Sequence, residues 1–179
     1  MMLFHILDRP PLLFAALAAA SGLLLGGSFA FQFIGGLDPC ALCIWQRYPY
    51  GMVIGLGLLG AGLARSTAPP MGVLAVVMGL AALALFTDAA IAAFHVGVEQ
   101  KWWQGTQACV GAINADNIEA LHNQLLAQKV LRCNEVTWSL GGISMAGYNM
   151  AAALALGIAA GMGGLRIVLG HANQGETHE

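Results

Sequence analysis

The chain has 179 residues, of which 58% are hydrophobic and only 9% are charged. Soluble domains carry roughly 25% charged residues, so a soluble domain is all but excluded. A formal net charge of −2 offers no strongly basic face for nucleic acid.

The rare charges bound four apolar blocks, each near the ~20 residues that a membrane-crossing helix needs. Residues 12–34 carry no charge, residues 40–64 carry only Arg47, residues 71–94 carry only Asp88, and residues 140–165 carry none. The blocks are continuously apolar rather than alternating, which excludes a transmembrane barrel and leaves helices as the element that satisfies its own backbone in lipid. The fold expected is an all-α membrane protein, a single four-transmembrane-helix bundle spanning residues 1–179. Gly55, Gly57, Gly60, Gly157, Gly161 and Gly164 are the small residues that let helices approach closely. Ala16–Ala20 offers the A-x-A pattern of a cleaved signal peptide, but the apolar run continues through Leu23–Leu25 to Ile34, so the first block is read as an uncleaved span.

Short connections follow the first and second spans, at residues 35–39 and at Arg65–Pro70, where paired prolines stop a helix. Residues 95–139 form the one long loop, and 166–179 a polar tail. Within the long loop, Asp116 and Glu119 have capping-box spacing, and Ile118, Leu121, Leu125 and Leu126 form one apolar stripe. A short amphipathic helix on the membrane surface is expected there.

Four spans put both termini on one side and the 35–39 and 95–139 loops on the other. Basic residues do not orient the bundle: Arg9, Arg65 and Arg166 stand on the terminal side, against Arg47, Lys101, Lys129 and Arg132. Cysteine does. Cys40, Cys43, Cys109 and Cys133, with all four tryptophans, fall on the loop side. An even cysteine set on one face indicates an oxidising compartment, in a bacterium the periplasm, leaving the termini in the cytoplasm.

Cys40-Ala-Leu-Cys43 is a C-x-x-C motif at the head of the second span. Asp38 is expected as its N-cap and Pro39 as the first helical residue. The helix start and Arg47, one turn beyond Cys43, favour the thiolate. A zinc site would want a second close pair, and Cys109 and Cys133 are 24 residues apart, so no metal is expected. Those two could close a disulfide across the long loop, either as a structural staple or as a reactive bond.

In order, Cys40-Ala-Leu-Cys43, Trp45-Gln46-Arg47, His95-Val-Gly-Val-Glu-Gln-Lys-Trp-Trp103, Cys109, Cys133-Asn-Glu-Val-Thr-Trp138 and Gly142-Ile-Ser-Met-Ala-Gly-Tyr-Asn149 resemble the DsbB family of membrane disulfide-generating proteins over nearly the whole chain. The resemblance implies a thiol oxidase linked to a membrane quinone, ubiquinone with menaquinone as the other option, in the bacterial inner membrane. It implies a DsbA-type thioredoxin-fold partner that attacks the Cys109–Cys133 disulfide at Cys109. Cys133 would then attack Cys40, and Cys43 would pass electrons to the quinone. Arg47, His95 and Met145 map to the quinone pocket. Gln46 stands where some members carry an acid, and no role is assigned to it. Asp88, the one acid inside a span, is read first as a hydrogen-bond partner of Thr, Ser or Gln on a neighbouring helix, and Glu99 and Lys101 as solvated loop charges. The alternative to catalysis is a four-span membrane protein with static disulfides.

Overall fold

A computed structural model describes residues 9–106, 109 and 133–176. The amphipathic helix expected over Asp116–Leu126 lies outside the described residues. The elements described are α1 (Pro10–Phe33), α2 (Ala41–Trp45), α3 (Arg47–Leu63), α4 (Met71–Glu99), a hairpin of β1 (Ser139–Leu140) and β2 (Ile143–Ser144), and α5 (Met145–Glu176). Among the described residues, three helices are long and apolar enough to cross a membrane: Pro10–Phe33, Met71–Glu99 and the Met145–Gly170 part of α5. Their outer faces carry large exposed apolar side chains such as Leu23 (79% exposed), Leu83 (63%) and Leu165 (59%). That is the surface of a membrane protein, because water would tolerate so continuous an apolar exterior poorly.

The second apolar block differs from the single helix expected. It breaks at Gln46 into the five-residue α2 and the 17-residue α3. Pro49 supplies the reason. Its ring would meet the carbonyl four residues earlier, that of Trp45, and it has no N–H to give that carbonyl. The chain therefore restarts its helix at Arg47, and the side chain at the break, Gln46, is turned inward and buried.

The third block runs further than expected. α4 continues five residues past Phe94 to Glu99, which sets His95 and Glu99 one turn apart on the same face. The fourth block starts later. Gly141 and Gly142 take φ of 58° and 81°, the two positive values of a type I′ hairpin turn, and Ser139 pairs with Ser144 and Leu140 with Ile143. Residues 139–144 are thus spent on a hairpin that folds over the end of the bundle before α5 begins.

α1 packs along α3, α4 packs along α5, and α3 also meets α4. Phe14 and Leu17 of α1, Val53 of α3, Leu74, Met78 and Leu85 of α4, and Ala153 and Ala160 of α5 fill the common core. Two of the expected small-residue contacts are the closest. A β-carbon on Gly57 would lie 2.8 Å from the Phe14 carbonyl oxygen, and one on Gly60 would run into the Phe14 ring, whereas Gly55 and Gly161 face open space. Replacing Gly60 with leucine should cost about 1–3 kcal/mol by overpacking the α1–α3 seam. Gly62→Ala, where nothing lies within 4 Å, should leave stability unchanged or slightly raised. Thermal unfolding of the two variants in the same detergent checks the difference.

Candidate redox site

Cys40 caps α2 in place of Asp38. Its backbone is extended (φ −72°, ψ 169°), and its sulfur accepts the backbone N–H of Cys43 at 3.3 Å, the bond that an N-cap side chain makes to the third helical amide. The cap bond draws the two sulfurs together. Cys40 Sγ and Cys43 Sγ are unbonded and 2.8 Å apart, and His95 Nε2 from α4 lies 3.6 Å from Cys40 Sγ. These three donors lie within 4.8 Å of one another. Two thiolates sharing a tetrahedral zinc would stand roughly 3.8 Å apart, given Zn–S bonds near 2.3 Å. The closer approach here suits a pair that makes and breaks a bond between its sulfurs.

Cys109 and Cys133 are joined as a disulfide, with Cα atoms 5.2 Å apart. Cys40, Cys109 and Cys133, with Leu42 and Val98, form one buried cluster, and Cys43 packs against its edge. The structure therefore brings the four sequence-predicted cysteines to one place.

Cys43 also lines a cavity of about 370 Å³, whose wall includes Leu23, Leu24 and Leu25 of α1, Met145 and Asn149 of α5, and Gln46, Arg47 and Tyr50. The Arg47 side chain reaches across to α1. Its Nε donates to Ser28 Oγ at 3.0 Å and its Nη1 to Gln32 Oε1 at 2.7 Å, and the guanidinium sits 4.6 Å above the Phe29 ring. α1 thus holds it at the cavity wall. Of the three residues expected around a cofactor, Arg47 and Met145 line the cavity and His95 does not. His95 stands behind the cysteine pair, against Cys40.

Two acids depart from expectation. Glu99 is not a solvated loop charge: its side chain is 6% exposed, its Oε1 is 3.8 Å from His95 Nε2, and its Oε2 accepts from Ser144 Oγ of the hairpin. The extension of α4 and the hairpin together enclose it. Lys101, by contrast, is exposed. Asp88 is fully buried and accepts at Oδ2 from Asn149 Nδ2, 2.9 Å away on α5. Its partner is thus a neighbouring-helix amide, though an asparagine rather than the Thr, Ser or Gln expected.

Asn149 is the hub of polar contacts that the motif reading left without roles. Its Oδ1 accepts from Tyr50 Oη at 2.7 Å, and its Nδ2 also donates to Gln46 Oε1 at 3.0 Å. Gln46 Nε2 reaches His95 Nδ1 at 3.3 Å. Gln46, Tyr50 and Asn149 were findable in principle, because a polar side chain inside a span is expensive unless it has a partner there.

Residues 10–163 match the family described as "Disulfide bond formation protein DsbB". The chain belongs to the DsbB family. It is 32% identical over 164 residues to the disulfide bond formation protein B of Verminephrobacter eiseniae, covering 88% of each chain. It is 31% identical over 153 residues to that of Stutzerimonas stutzeri, covering 80% of this chain and 88% of the relative. An uncharacterized protein of Rickettsia prowazekii is 23% identical over 146 residues. No solved structure matches. As a DsbB-family member the chain is a helical membrane protein of disulfide bond formation, with a thiol oxidoreductase role.

Proposed function

We propose that this protein is a protein-disulfide:quinone oxidoreductase of the bacterial inner membrane, which reoxidises a DsbA-type thioredoxin-fold partner and delivers the electrons to ubiquinone or menaquinone. The observation that carries this reading is the two-sided placement of the C-x-x-C pair. Cys40 belongs to the cluster that holds the Cys109–Cys133 disulfide, while Cys43 forms part of the cavity wall. One sulfur is set for exchange with protein thiols and the other for a small molecule.

The exchange balances as follows. A partner thiolate attacks Cys109 Sγ, forming a partner–Cys109 disulfide and releasing Cys133 as thiolate. Cys133 Sγ attacks Cys40 Sγ of an oxidised Cys40–Cys43 pair, forming the Cys133–Cys40 bond and releasing Cys43 as thiolate. The partner's second thiolate then attacks its own sulfur in the bond to Cys109, which frees the oxidised partner and leaves Cys109 as thiolate. Cys109 attacks Cys133, re-forming the Cys109–Cys133 bond and releasing Cys40 as thiolate. The electron pair then rests on the Cys40–Cys43 pair, whose Cys43 stands in the cavity wall. A bound quinone would supply the two-electron, two-proton acceptor. The cavity fits such a group: its volume is within the range of small-molecule sites, its walls are apolar, and its polar groups are few. Arg47 would hold the headgroup. Two of its five N–H groups are taken by Ser28 and Gln32, and the others can donate to a carbonyl.

In this reading α2 and α3 together make the second of four crossings. At 1.5 Å per residue, the 17 residues of α3 span about 26 Å, and α2 brings the crossing close to the ~30 Å of a bilayer core. The 35–39 and 95–139 loops face the periplasm and the termini face the cytoplasm.

The test mixes purified protein, a short-chain quinone and a reduced thioredoxin-fold dithiol partner, and follows quinone absorbance and thiol loss together. Loss of thiols with no quinone reduction would overturn the proposal. In the same assay Arg47→Ala should raise the quinone KM by about tenfold, roughly the loss of one charge-assisted hydrogen bond. Single-turnover exchange with the partner should stay unchanged.

A further inference from the structure

The polar chain behind the cysteine pair has a direction that can be read from its fixed ends. Asp88 Oδ2 accepts, so the amide of Asn149 must turn its NH₂ toward it, and the Tyr50 hydroxyl on the other side donates to Asn149 Oδ1. The same NH₂ faces Gln46, so Gln46 presents Oε1 to Asn149 and its own NH₂ to His95 Nδ1. An amide NH₂ has only hydrogens to give. Nδ1 of His95 is therefore the bare, accepting nitrogen, and in the neutral ring the proton sits on Nε2. The two groups that face Nε2 are both able to accept from it: Cys40 Sγ lies 3.6 Å away at the α2 cap, and Glu99 Oε1 lies at an ion-pair distance of 3.8 Å on the same helix as His95.

We propose that Gln46 is a positioning residue. It fixes the tautomer of His95, so that the imidazole Nε2–H is held toward Cys40 Sγ as a hydrogen-bond donor and not as a base. In the exchange sequence Cys40 is the sulfur that leaves as thiolate when Cys109 attacks Cys133 of the Cys133–Cys40 bond. A donor already aimed at that sulfur stabilises it without reorganising. Identity at position 46 then matters in a specific way. An amide donates to Nδ1 and leaves the proton on Nε2. A carboxylate could only accept there, and would draw the proton onto Nδ1. Asn149, Asp88 and Tyr50 set the orientation of the amide, which gives the buried Asp88 a part at a distance from the sulfurs. The proposal uses the reading of Cys40 as an exchanging sulfur, but its primary readout needs neither quinone nor partner.

The experiment takes the full chain in detergent micelles with ¹⁵N-labelled histidines and records long-range ¹H–¹⁵N correlations, with the His95 signals assigned by their loss in His95→Gln. The expected result is Nε2 protonated and Nδ1 bare in the wild type. Gln46→Glu should move a proton onto Nδ1. Gln46→Met, which keeps the length of the side chain but has no donor, should populate both tautomers. In a Cys43→Ser background, where Cys40 is the free thiol beside the intact Cys109–Cys133 bond, Gln46→Met should slow alkylation of Cys40 at neutral pH about fivefold, the effect of one typical hydrogen bond. A wild-type His95 protonated at Nδ1, or His95 signals unmoved by Gln46→Met, would overturn the proposal, as would an unchanged alkylation rate. Should Gln46→Glu fail to fold, Gln46→Met decides alone. Absence of quinone turnover with these spectra intact would count against the proposed function and leave the role of Gln46 standing.

Discussion

Cys43→Ser should abolish quinone-linked thiol oxidation while leaving the first exchange with the partner intact. The placement of the cysteines requires this split. The Cys109–Cys133 disulfide lies in a cluster with Cys40, and a serine at position 43 touches none of those bonds. One partner molecule should still reduce the Cys109–Cys133 bond in each protein. The next transfer has nowhere to go, because no Cys40–Cys43 disulfide can form and no thiol stands in the cavity wall. Multiple-turnover rates should fall by at least about 10³-fold, the order seen when a nucleophile of a catalytic set is removed, and a burst of one dithiol per protein should remain. Cys109→Ser should fail at the other end, with no burst. A protein with two static bridges predicts the opposite: no turnover in the wild type, and no difference between the two serine variants. Stopped-flow thiol titration separates the outcomes.

The second large effect concerns Asp88. Asp88→Leu should destabilise the bundle by about 1–3 kcal/mol, because it strands one N–H of Asn149 in an apolar interior. Asp88→Asn should cost less, since its carbonyl oxygen can still accept from Asn149. The ordering matters more than either number. A carboxylate buried only for want of a better residue would be replaced by leucine at no cost or with a gain, as happens when buried polar groups give way to apolar ones of similar size. Here one of its oxygens holds Asn149, and that amide in turn meets Tyr50 and Gln46, so the loss is passed to groups on two other helices. Unfolding of both variants in one detergent, with Leu85→Ala as a core reference, checks the prediction.

The apolar helices and the chemistry-bearing cysteines were legible without coordinates, and for one reason. Lipid forbids unpartnered charge and unpaired backbone, so charge gaps in the sequence translate almost directly into helices. α1 and α4 start within two residues of the expected points. The boundaries that shifted did so where local backbone rules compete with apolarity. Pro49 splits the second block, and Gly141–Gly142 turn what looked like the start of the fourth span into a hairpin. Both signals were in the sequence, but an isolated proline or a glycine pair in an apolar run is also common in continuous spans.

Which polar residues meet was not legible. Gln46 is six residues inside the expected second span by count, yet at the helix break its side chain turns inward to His95, 49 positions on, and to Asn149, 103 positions on. His95 and Met145 look equivalent on the motif, one at a span end and one at a span start, but the cavity takes Met145 and the cysteine pair takes His95. Glu99 reads as a loop acid until α4 is seen to carry it under the hairpin.

By itself, then, the sequence determined a helical membrane protein with a C-x-x-C at the head of an apolar segment and two further cysteines in its long loop, because the transfer of charge and of unpaired backbone into lipid is decided residue by residue. Tertiary structure alone decided that Cys40 faces the second cysteine pair while Cys43 faces the cavity. It alone set Arg47 against α1 and ran hydrogen bonds from Asp88 through Asn149 and Gln46 to His95. Those facts depend on the rotation of one helix relative to another, and that rotation is settled by packing, such as the Phe14 ring against Gly60, and not by any local run of residues.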